Sequence, residues 1–377
     1  MNTKIFVMAH KAFTPPEDPI YQPLQVGCAE NEYLGEGYLR DDSGENISNL
    51  NHLFGELTGM YWVWQNYEGP ETYIGINHYR RYFTDGSGEF LDDERITALM
   101  ENHELIASER IGTEKSYKNT YAEAHNLDDL MAVRDSVEKL YPDYLLDFDH
   151  VLKQKAVYSG NLMIMERQQY NEYCKWLFEI LFDASESIDV SGYDLYHARV
   201  FGFLSEGLLQ VWAEHHDWKV YECHIGYTDE KAETKELKLA VAQLLKKHKY
   251  LDAEKMFNEV MTARPDLQLP MSDIRKELPI IQQILYIGNK ERELEKVGLF
   301  VESNNLAQLM NIYKRHYENL QALCTAKTLD EITIARDNLL AHHFTSVALE
   351  VMLEYDMYKK YKCEPLDAEK LKAMEIV

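Results

Sequence analysis

The side chains best suited to bind an anion lie just after a β-rich run. Residues 72–77 have the sequence Thr-Tyr-Ile-Gly-Ile-Asn, which predicts a strand, and His78, Arg80 and Arg81 follow at its carboxyl end. Arginine guanidinium groups bind phosphate oxygens in pairs, and each such charged hydrogen bond contributes about 1.5–3 kcal/mol. Because ligands of open α/β sheets bind at the carboxyl ends of strands, this segment indicates a pyrophosphate site. The alternative is that both arginines pair with local carboxylates on a solvated face.

Two other groups of polar residues are candidates for holding a nucleotide. His10 and Lys11 follow the apolar run 5–9, which predicts the first strand, although any strand can end in a polar pair. A turn further along offers three side chains that can hydrogen-bond a base or a ribose, namely Asp41, Asp42 and Asn46. Ordinary helix capping also accounts for these three, because a helix is predicted to begin soon after them.

One polar residue lies within the apolar run 157–165, which predicts another strand. There Asn161 follows Gly160, and an amide that faces a cleft can hold a sugar hydroxyl. The other interpretation is that Asn161 is a turn residue at a strand end.

The segment 192–206 contains the candidates for proton transfer. Glu206 and Asp194 are the carboxylates that we expect to act as general base for an acceptor hydroxyl, and His197 and Arg199 are candidates for binding that acceptor. A structural salt bridge to Arg199 is the alternative role for the carboxylates. If the segment is helical, His197 and Glu206 lie more than two turns apart, so they need not share one face.

The composition is that of a folded protein. The chain has 377 residues, of which 45% are apolar and 27% charged, and this length suggests two domains. The formal net charge of −25 repels nucleic acid, which proteins bind mainly through Lys and Arg, so nucleic-acid binding is not expected. The sequence has no P-loop, G-x-S-x-G, H-E-x-x-H or G-x-G-x-x-G motif, so the common kinase, hydrolase and dehydrogenase classes have no direct support.

Charge and glycine content change near residue 230. Residues 1–230 contain 17 Lys and Arg against 41 Asp and Glu, whereas residues 231–377 contain 22 against 23. The first part also holds 16 of the 18 glycines, as a loop-rich, ligand-binding domain does. We therefore predict an α/β domain over 1–230 and an all-α domain over 231–377. Residues 239–265 have the spacing of a tetratricopeptide unit, and because no second copy follows, they predict a single helical hairpin.

Cysteine usage and hydropathy indicate a protein of the reducing cytoplasm. The five cysteines are widely spaced and form no C-x-x-C pair, so neither a disulfide framework nor a zinc knuckle is indicated. No stretch approaches the roughly 18–20 apolar residues of a membrane span, and the first residues lack the pattern of a signal peptide. We expect a cytoplasmic location.

Several sequence blocks are distinctive in combination. They include His-Tyr-Arg-Arg-Tyr-Phe at 78–83, Glu-Leu-Thr at 56–58, Tyr-Trp-Val-Trp at 61–64 and Phe-Gly-Phe-Leu-Ser-Glu at 201–206. Together with the blocks at 4–11, 21–27 and 42–48, they resemble a family of bacterial capsular and exopolysaccharide glycosyltransferases long catalogued as a domain of unknown function. The resemblance covers about residues 4–225.

The resemblance implies a GT-A-like fold, in which a nucleotide-diphosphate-sugar lies over a single mixed, mainly parallel sheet. It also implies transfer of a sugar from a donor such as UDP-galactose, in its pyranose or furanose form, to a growing glycan or lipid-linked glycan. In GT-A enzymes a D-x-D motif that holds a divalent cation follows a strand. By order along the chain that position falls on 77–79, Asn-His-Tyr, without an aspartate. We therefore expect no cofactor, and we expect Arg80, Arg81 and His78 to neutralise the diphosphate in place of Mn²⁺ or Mg²⁺.

One D-x-D does occur, at Asp147 and Asp149. Its apolar neighbours at 145, 148, 151 and 152 have helical spacing, so we interpret the motif as a coincidence. The histidine pairs at 215–216 and 342–343 also lack partners at metal-ligand spacing.

The predicted helical domain lies outside the resemblance. It is suited to acceptor binding, to oligomer formation or to partner docking, and its balanced charge allows it to approach an anionic membrane surface that the first domain repels. The main alternative to a transferase is a non-catalytic partner of a polysaccharide assembly, in which an inactive sugar-nucleotide fold carries a helical interaction module.

Overall fold

The computed structural model describes residues 1–269 and 272–352 of the chain, which divides into two compact units after Thr228. The end of the predicted all-α domain, residues 353–377 with Cys363, lies outside the described residues.

The first unit contains ten strands, all of them short. Their bounds are β1 Thr3–Ala9, β2 Tyr21–Gln25, β3 Leu39–Arg40, β4 Tyr73–His78, β5 Arg81–Thr84, β6 Leu105–Ser108, β7 Ile111–Gly112, β8 Ala156–Val157, β9 Met163–Glu166 and β10 Val220–Tyr227. Eight form one sheet, and β7 pairs with β8 in a small second sheet. The α/β class predicted for this part of the chain is confirmed.

The main sheet is mixed. Strands β3, β2, β1 and β4 are parallel neighbours, and β6 is parallel to β10. Strand β9 is antiparallel to both β4 and β6, and β5 is antiparallel to both β4 and β10. The sheet is therefore half antiparallel rather than mainly parallel. The reason at β5 is that the chain reverses within two residues after β4, and such a tight turn joins only antiparallel strands.

Alternation along the strands builds a core on both faces of the sheet. In β1, Phe6 and Met8 belong to one buried cluster, whereas Ile5 and Val7 belong to the other. The larger cluster includes buried residues of seven of the eight helices of this unit, and the exception, Asp93–Met100, contributes Ile96 to the other cluster. The eight helices are α1 Asn51–Phe54, α2 Leu57–Asn66, α3 Asp93–Met100, α4 Tyr117–Ala124, α5 Leu127–Leu140, α6 Leu145–Val151, α7 Arg167–Ser185 and α8 Val200–His215.

The strand predicted over 157–165 is two strands separated by a loop. Gly160 and Asn161 in that loop have φ angles of 80° and 51°. Two successive residues in the left-handed region cannot continue a strand, so β8 ends before them and β9 begins after them. The apolar composition of the run reflects burial rather than continuous pairing.

The second unit consists of helices in its described residues. They are α9 Ala232–Lys246, α10 Tyr250–Ala263, α11 Leu278–Glu293, α12 Leu299–Glu302, α13 Leu306–Thr325, α14 Leu329–Leu340 and α15 Ser346–Met352. Helices α9 and α10, joined by a short turn, occupy the stretch predicted as a hairpin. Within 1–269 and 272–352, no helix is both long and apolar enough to cross a membrane.

Candidate functional site

Parallel pairing of β1 with β4 brings their carboxyl ends together. Met8 lies opposite His78 in the register, and the backbone N–H of Tyr79 donates to the carbonyl of Met8 at 3.0 Å. As a result the rings of His10 and Tyr79 meet edge to face at 5.2 Å, and Lys11 Nζ lies 5.1 Å from the centre of the Tyr79 ring. Two segments separated by about 70 residues in the sequence thus share one edge of the sheet. We call Lys11, Arg80 and Arg81 the cationic edge.

The polar side chains at the end of β4 are buried and incompletely paired. Asn77 is fully buried, and neither atom of its amide has a hydrogen-bond partner among the described residues. Within the same part of the chain, His78 Nε2 and Arg81 Nε are also buried and unpaired. Because buried polar groups in proteins are nearly always paired, three such groups within five positions indicate a missing partner.

His78 is a neutral imidazole at neutral pH. Burial first, and then the charges of Arg81 and Arg80 and the proximity of His10, hold the pKa of His78 well below 6.5. The positive charge at this edge therefore comes from Lys11, Arg80 and Arg81. His78 is available as a hydrogen-bonding group and not, as the sequence suggested, as a third cation.

Glu206 is a half-buried residue of α8, and its carboxylate lies near Arg81. It accepts a hydrogen bond of 3.1 Å from Ser159 Oγ and another from the backbone N–H of Gly160. Burial and the nearby charge of Glu56 raise the pKa of Glu206 to about 7, against the opposing effect of Arg81 and the two hydrogen bonds. A carboxylate with a pKa near 7 is suited to accept a proton at neutral pH.

The loop between β8 and β9 joins the cationic edge to the acidic residues, and we call residues 159–161 the bridging loop. A Cβ atom on Gly160 would lie 2.5 Å from Arg81 Nη1, so the absence of a side chain there lets the guanidinium approach. Asn161 Nδ2 donates a hydrogen bond of 2.9 Å to Glu56 Oε1. The predicted turn conformation of Asn161 is present, and its amide is occupied by protein groups.

Sequence reasoning missed Ser159 and Glu56 as members of this site. Nothing local distinguishes Ser159 from any loop serine. Glu56 had a signal, since it begins the Glu-Leu-Thr block that carries part of the family resemblance. Only the fold shows that Glu56 belongs to the site, because it is hydrogen-bonded by Asn161, which is 105 residues away in sequence.

Asp42 and Asn46 make their hydrogen bonds within the turn that holds them. Asp42 pairs with Arg40 through both carboxylate oxygens, at 2.9 and 2.5 Å. Asn46 accepts from the backbone N–H of Ser48 at 3.2 Å and donates to the carbonyl of Gly44 at 2.9 Å. The structure does not show either side chain contacting the cationic edge in the part of the chain it describes.

Asp41, next to them, is a structural residue. Its fully buried carboxylate accepts four hydrogen bonds, from Gly27 N at 2.8 Å, Cys28 N at 3.0 Å, Ser48 Oγ at 2.5 Å and Thr58 Oγ1 at 2.7 Å. Both oxygens of the Asp41 carboxylate are thus hydrogen-bonded to protein groups.

Asp194, His197 and Arg199 lie on a separate surface turn before α8. Asp194 accepts from the backbone N–H of His197 at 2.9 Å and from its Nδ1 at 3.0 Å, and these interactions lower the pKa of Asp194. The side chain of Asp194 is 65% exposed, whereas Glu206 is half-buried. The guanidinium of Arg199 lies over the rings of Tyr196 and Phe203, at 5.5 and 5.7 Å.

The donor set after β4 does not fit a divalent cation. Within residues 1–269 and 272–352, no three His, Cys, Asp or Glu side chains converge as metal ligands. Asp147 and Asp149 lie on α6, where they pair with His215 at 2.8 Å and with Arg134 at 2.7 Å. These two aspartates thus pair with protein side chains on a helix.

Comparisons with known proteins identify a family and a structural neighbour. The chain matches WbbM, a bifunctional glycosyltransferase solved in its apo form, with a TM-score of 0.55 and 26% sequence identity. The match covers 61% of this chain and 46% of WbbM, so the chain spans less than half the length of that protein. No curated protein matches the sequence. The family described as a domain of unknown function, DUF4422, matches residues 4–217, more than half of the sequence. The resemblance is thereby confirmed, and the chain belongs to the DUF4422 family.

Proposed function

We propose that this chain is a glycosyltransferase that moves a sugar from a nucleotide-diphosphate donor to the hydroxyl of a glycan acceptor. The observation that carries the proposal is the half-buried Glu206 carboxylate, with a pKa raised to about 7, near Arg81 at the start of β5. The similarity to a bifunctional glycosyltransferase supports the reaction class. A UDP-sugar, with galactose in its pyranose or furanose form, is the proposed donor, laid over the sheet in a GT-A-like manner.

In the proposed reaction the bond between C1 of the donor sugar and the diphosphate oxygen breaks, and the diphosphate leaves with the electron pair. The acceptor oxygen forms the new bond to C1, and its proton passes to Glu206. Arg80 and Arg81 stabilise the negative charge that develops on the diphosphate. Asn77, His78 Nε2 and Arg81 Nε, which are unpaired in the described part of the chain, are placed to hydrogen-bond the donor.

His10 and Lys11 complete the proposed donor side because they share the sheet edge with Tyr79. In this proposal Asp42 and Asn46 contact the nucleoside through the outer face of their turn. Asn161 acts through Glu56 rather than on the donor directly. Asp194 holds the turn that presents His197, and His197 and Arg199 lie on the acceptor side.

The test is donor turnover by the full chain, with UDP-galactopyranose and UDP-galactofuranose assayed separately in the absence of acceptor. A transferase releases UDP slowly to water and faster with a glycan acceptor, and Glu206→Gln should reduce both rates at least about 100-fold. A scaffold with an inactive fold would bind a donor without releasing UDP. That result, with donor binding shown by a thermal shift, would favour the non-catalytic partner instead.

A further inference from the structure

A second candidate site lies on the same unit, beside the start of α8. A cavity of about 330 Å³ is lined by the end of α4, the start of α5 and the turn that carries His197. We call it the His125 cavity, and its polar walls are His125, Asn126, Asp129, Tyr193 and His197. Its volume is at the small end of the range of about 300–1,000 Å³ for ligand pockets.

The wall chemistry favours a ligand with hydroxyl groups and no negative charge. Asp129 is 4% exposed, and its Oδ2 accepts from Tyr193 OH at 2.6 Å. The amide of Asn126 donates to the same phenol oxygen at 2.9 Å. The lining includes the acidic residues Asp129 and Glu123 and, within the described residues, no Lys or Arg. A diphosphate or a uronate would therefore meet repulsion here, whereas a neutral hydroxyl finds carboxylate, phenol and amide partners.

Aromatic rings back this polar wall. The His125 ring stacks on Phe203 at 4.4 Å and lies 4.8 Å from the Tyr121 ring. Tyr196 packs on Phe203 at 5.0 Å. Rings next to hydrogen-bonding groups match a sugar, which has an apolar face of C–H groups and a rim of hydroxyls.

Tyr121 links the cavity to the proposed base. Its ring is 5% exposed, and its hydroxyl has no hydrogen-bond partner within the described ranges. The charges of Asp129 and Glu206 both act on this phenol and, after burial itself, help to raise its pKa. Tyr121 is therefore close enough both to Asp129 in the cavity wall and to Glu206 for their charges to act on it.

We infer that the His125 cavity binds a neutral sugar residue of the acceptor glycan, one that stays bound while its neighbour is presented to Glu206. This inference rests on the proposed function for the role of the sugar as acceptor. The geometry by itself assigns a neutral-sugar site, and that part is testable without any donor.

The experiment is a ligand-observed NMR titration of the full chain with methyl β-D-galactopyranoside and, separately, with its anionic counterpart methyl β-D-galactopyranosiduronate. We expect saturable binding of the neutral glycoside and at least fivefold weaker binding of the uronate. Asp129→Asn should weaken neutral-glycoside binding at least fivefold. Asp128→Asn is the matched control, because it removes the same charge from an exposed residue one position earlier and should change binding less than twofold.

A second variant is needed because Asp129→Asn could weaken binding simply by unfolding the protein. Ala124→Phe fills the cavity without removing a buried polar group, and we expect it to abolish glycoside binding while the thermal unfolding transition is retained. Absence of saturable binding to the wild type, equal binding of the uronate, or unchanged binding by Ala124→Phe would each overturn the inference. Failure of the proposed function is a separate result, since it would show as no UDP release by the wild type whatever happens in the glycoside titration.

Discussion

Ser159 donates a hydrogen bond of 3.1 Å to Glu206 across 47 residues of sequence. The bond links the loop that contacts Arg81 to the carboxylate proposed as the base. One short loop thus contacts both Arg81, proposed to stabilise the leaving diphosphate, and Glu206, proposed to accept the proton of the acceptor.

The rate of transfer should depend on the ionisation of Glu206. Because only the carboxylate form accepts a proton, kcat/KM should rise with pH and level off above about 7, the raised pKa of Glu206. Glu206→Gln should lower kcat at least about 100-fold and remove this limb of the profile. A flat wild-type profile between pH 5.5 and 8.5 would contradict the assignment.

The same pKa predicts a stability effect of opposite sign to the activity effect. The carboxyl group of Glu206 binds its proton more tightly in the folded chain, where its pKa is about 7, than in the unfolded chain, where the pKa is about 4.5. Its stabilising contribution is complete below about pH 4.5 and is lost as the pH rises through 7, by about 3 kcal/mol. Glu206→Gln should therefore unfold at a higher temperature than the wild type at pH 8 but not at pH 4.5. The exposed Glu101→Gln serves as control, and a variant that is less stable at pH 8 would disprove the sign.

Gly160→Ala should act on donor binding through Arg81. The new Cβ would stand 2.5 Å from Arg81 Nη1, so the flexible guanidinium must move away. Loss of one charged hydrogen bond to phosphate costs about 1.5–3 kcal/mol, which raises the KM for the donor about 10- to 100-fold. Steady-state kinetics on the variant measure this. Gly88→Ala is the control, because Gly88 also has a positive φ of 90° but nothing lies within 4 Å of the added methyl, and equal donor KM values for the two variants would refute the role of Gly160.

Lys238 should be critical to the second unit. Its ammonium group pairs with three carboxylates, Glu230 at 2.7 Å, Glu277 at 2.7 Å and Asp273 at 3.3 Å, and its side chain is 13% exposed. Lys238→Met leaves these charges facing one another, at a cost of about 3 kcal/mol. Lys235→Met, which breaks the half-exposed pair with Asp229, should cost less than about 1 kcal/mol. Amide hydrogen exchange of α9, measured in the full chain, compares the two variants. Equal protection of α9 in both would show that Lys238 stabilises the second unit no more than Lys235 does.

Removal of divalent metal should leave transfer intact. The proposed charge compensation comes from Arg80 and Arg81, so activity in EDTA should stay within about twofold of that in Mn²⁺. Complete loss of activity that Mn²⁺ restores would overturn this part of the proposal. Arg81→Gln, assayed under the same two conditions, should lose activity in both.

The amino-acid sequence by itself determined the local elements and their periodicity. The apolar runs at 5–9 and 72–77 form β1 and β4 because a short continuous apolar run is typical of a strand that is buried on both faces. The helical spacing around Asp147 likewise predicted that this residue lies on a helix, as it does on α6, and indicated that the D-x-D motif is a coincidence. The position of Arg80 and Arg81 directly after the apolar run 72–77 predicted that they lie at one edge of the sheet, because a strand ends where its apolar run ends.

Only the tertiary structure decided which of these residues are in contact and which side chains are charged at neutral pH. Glu56 reaches Asn161, and Ser159 reaches Glu206, through packing of α8 against the loop between β8 and β9, which no local pattern encodes. His78 loses its charge because it is buried beside two arginines, and Glu206 gains a raised pKa because it is buried near Glu56. A pKa depends on solvent exclusion and on charges brought close by folding, so a sequence fixes it only through the complete three-dimensional arrangement.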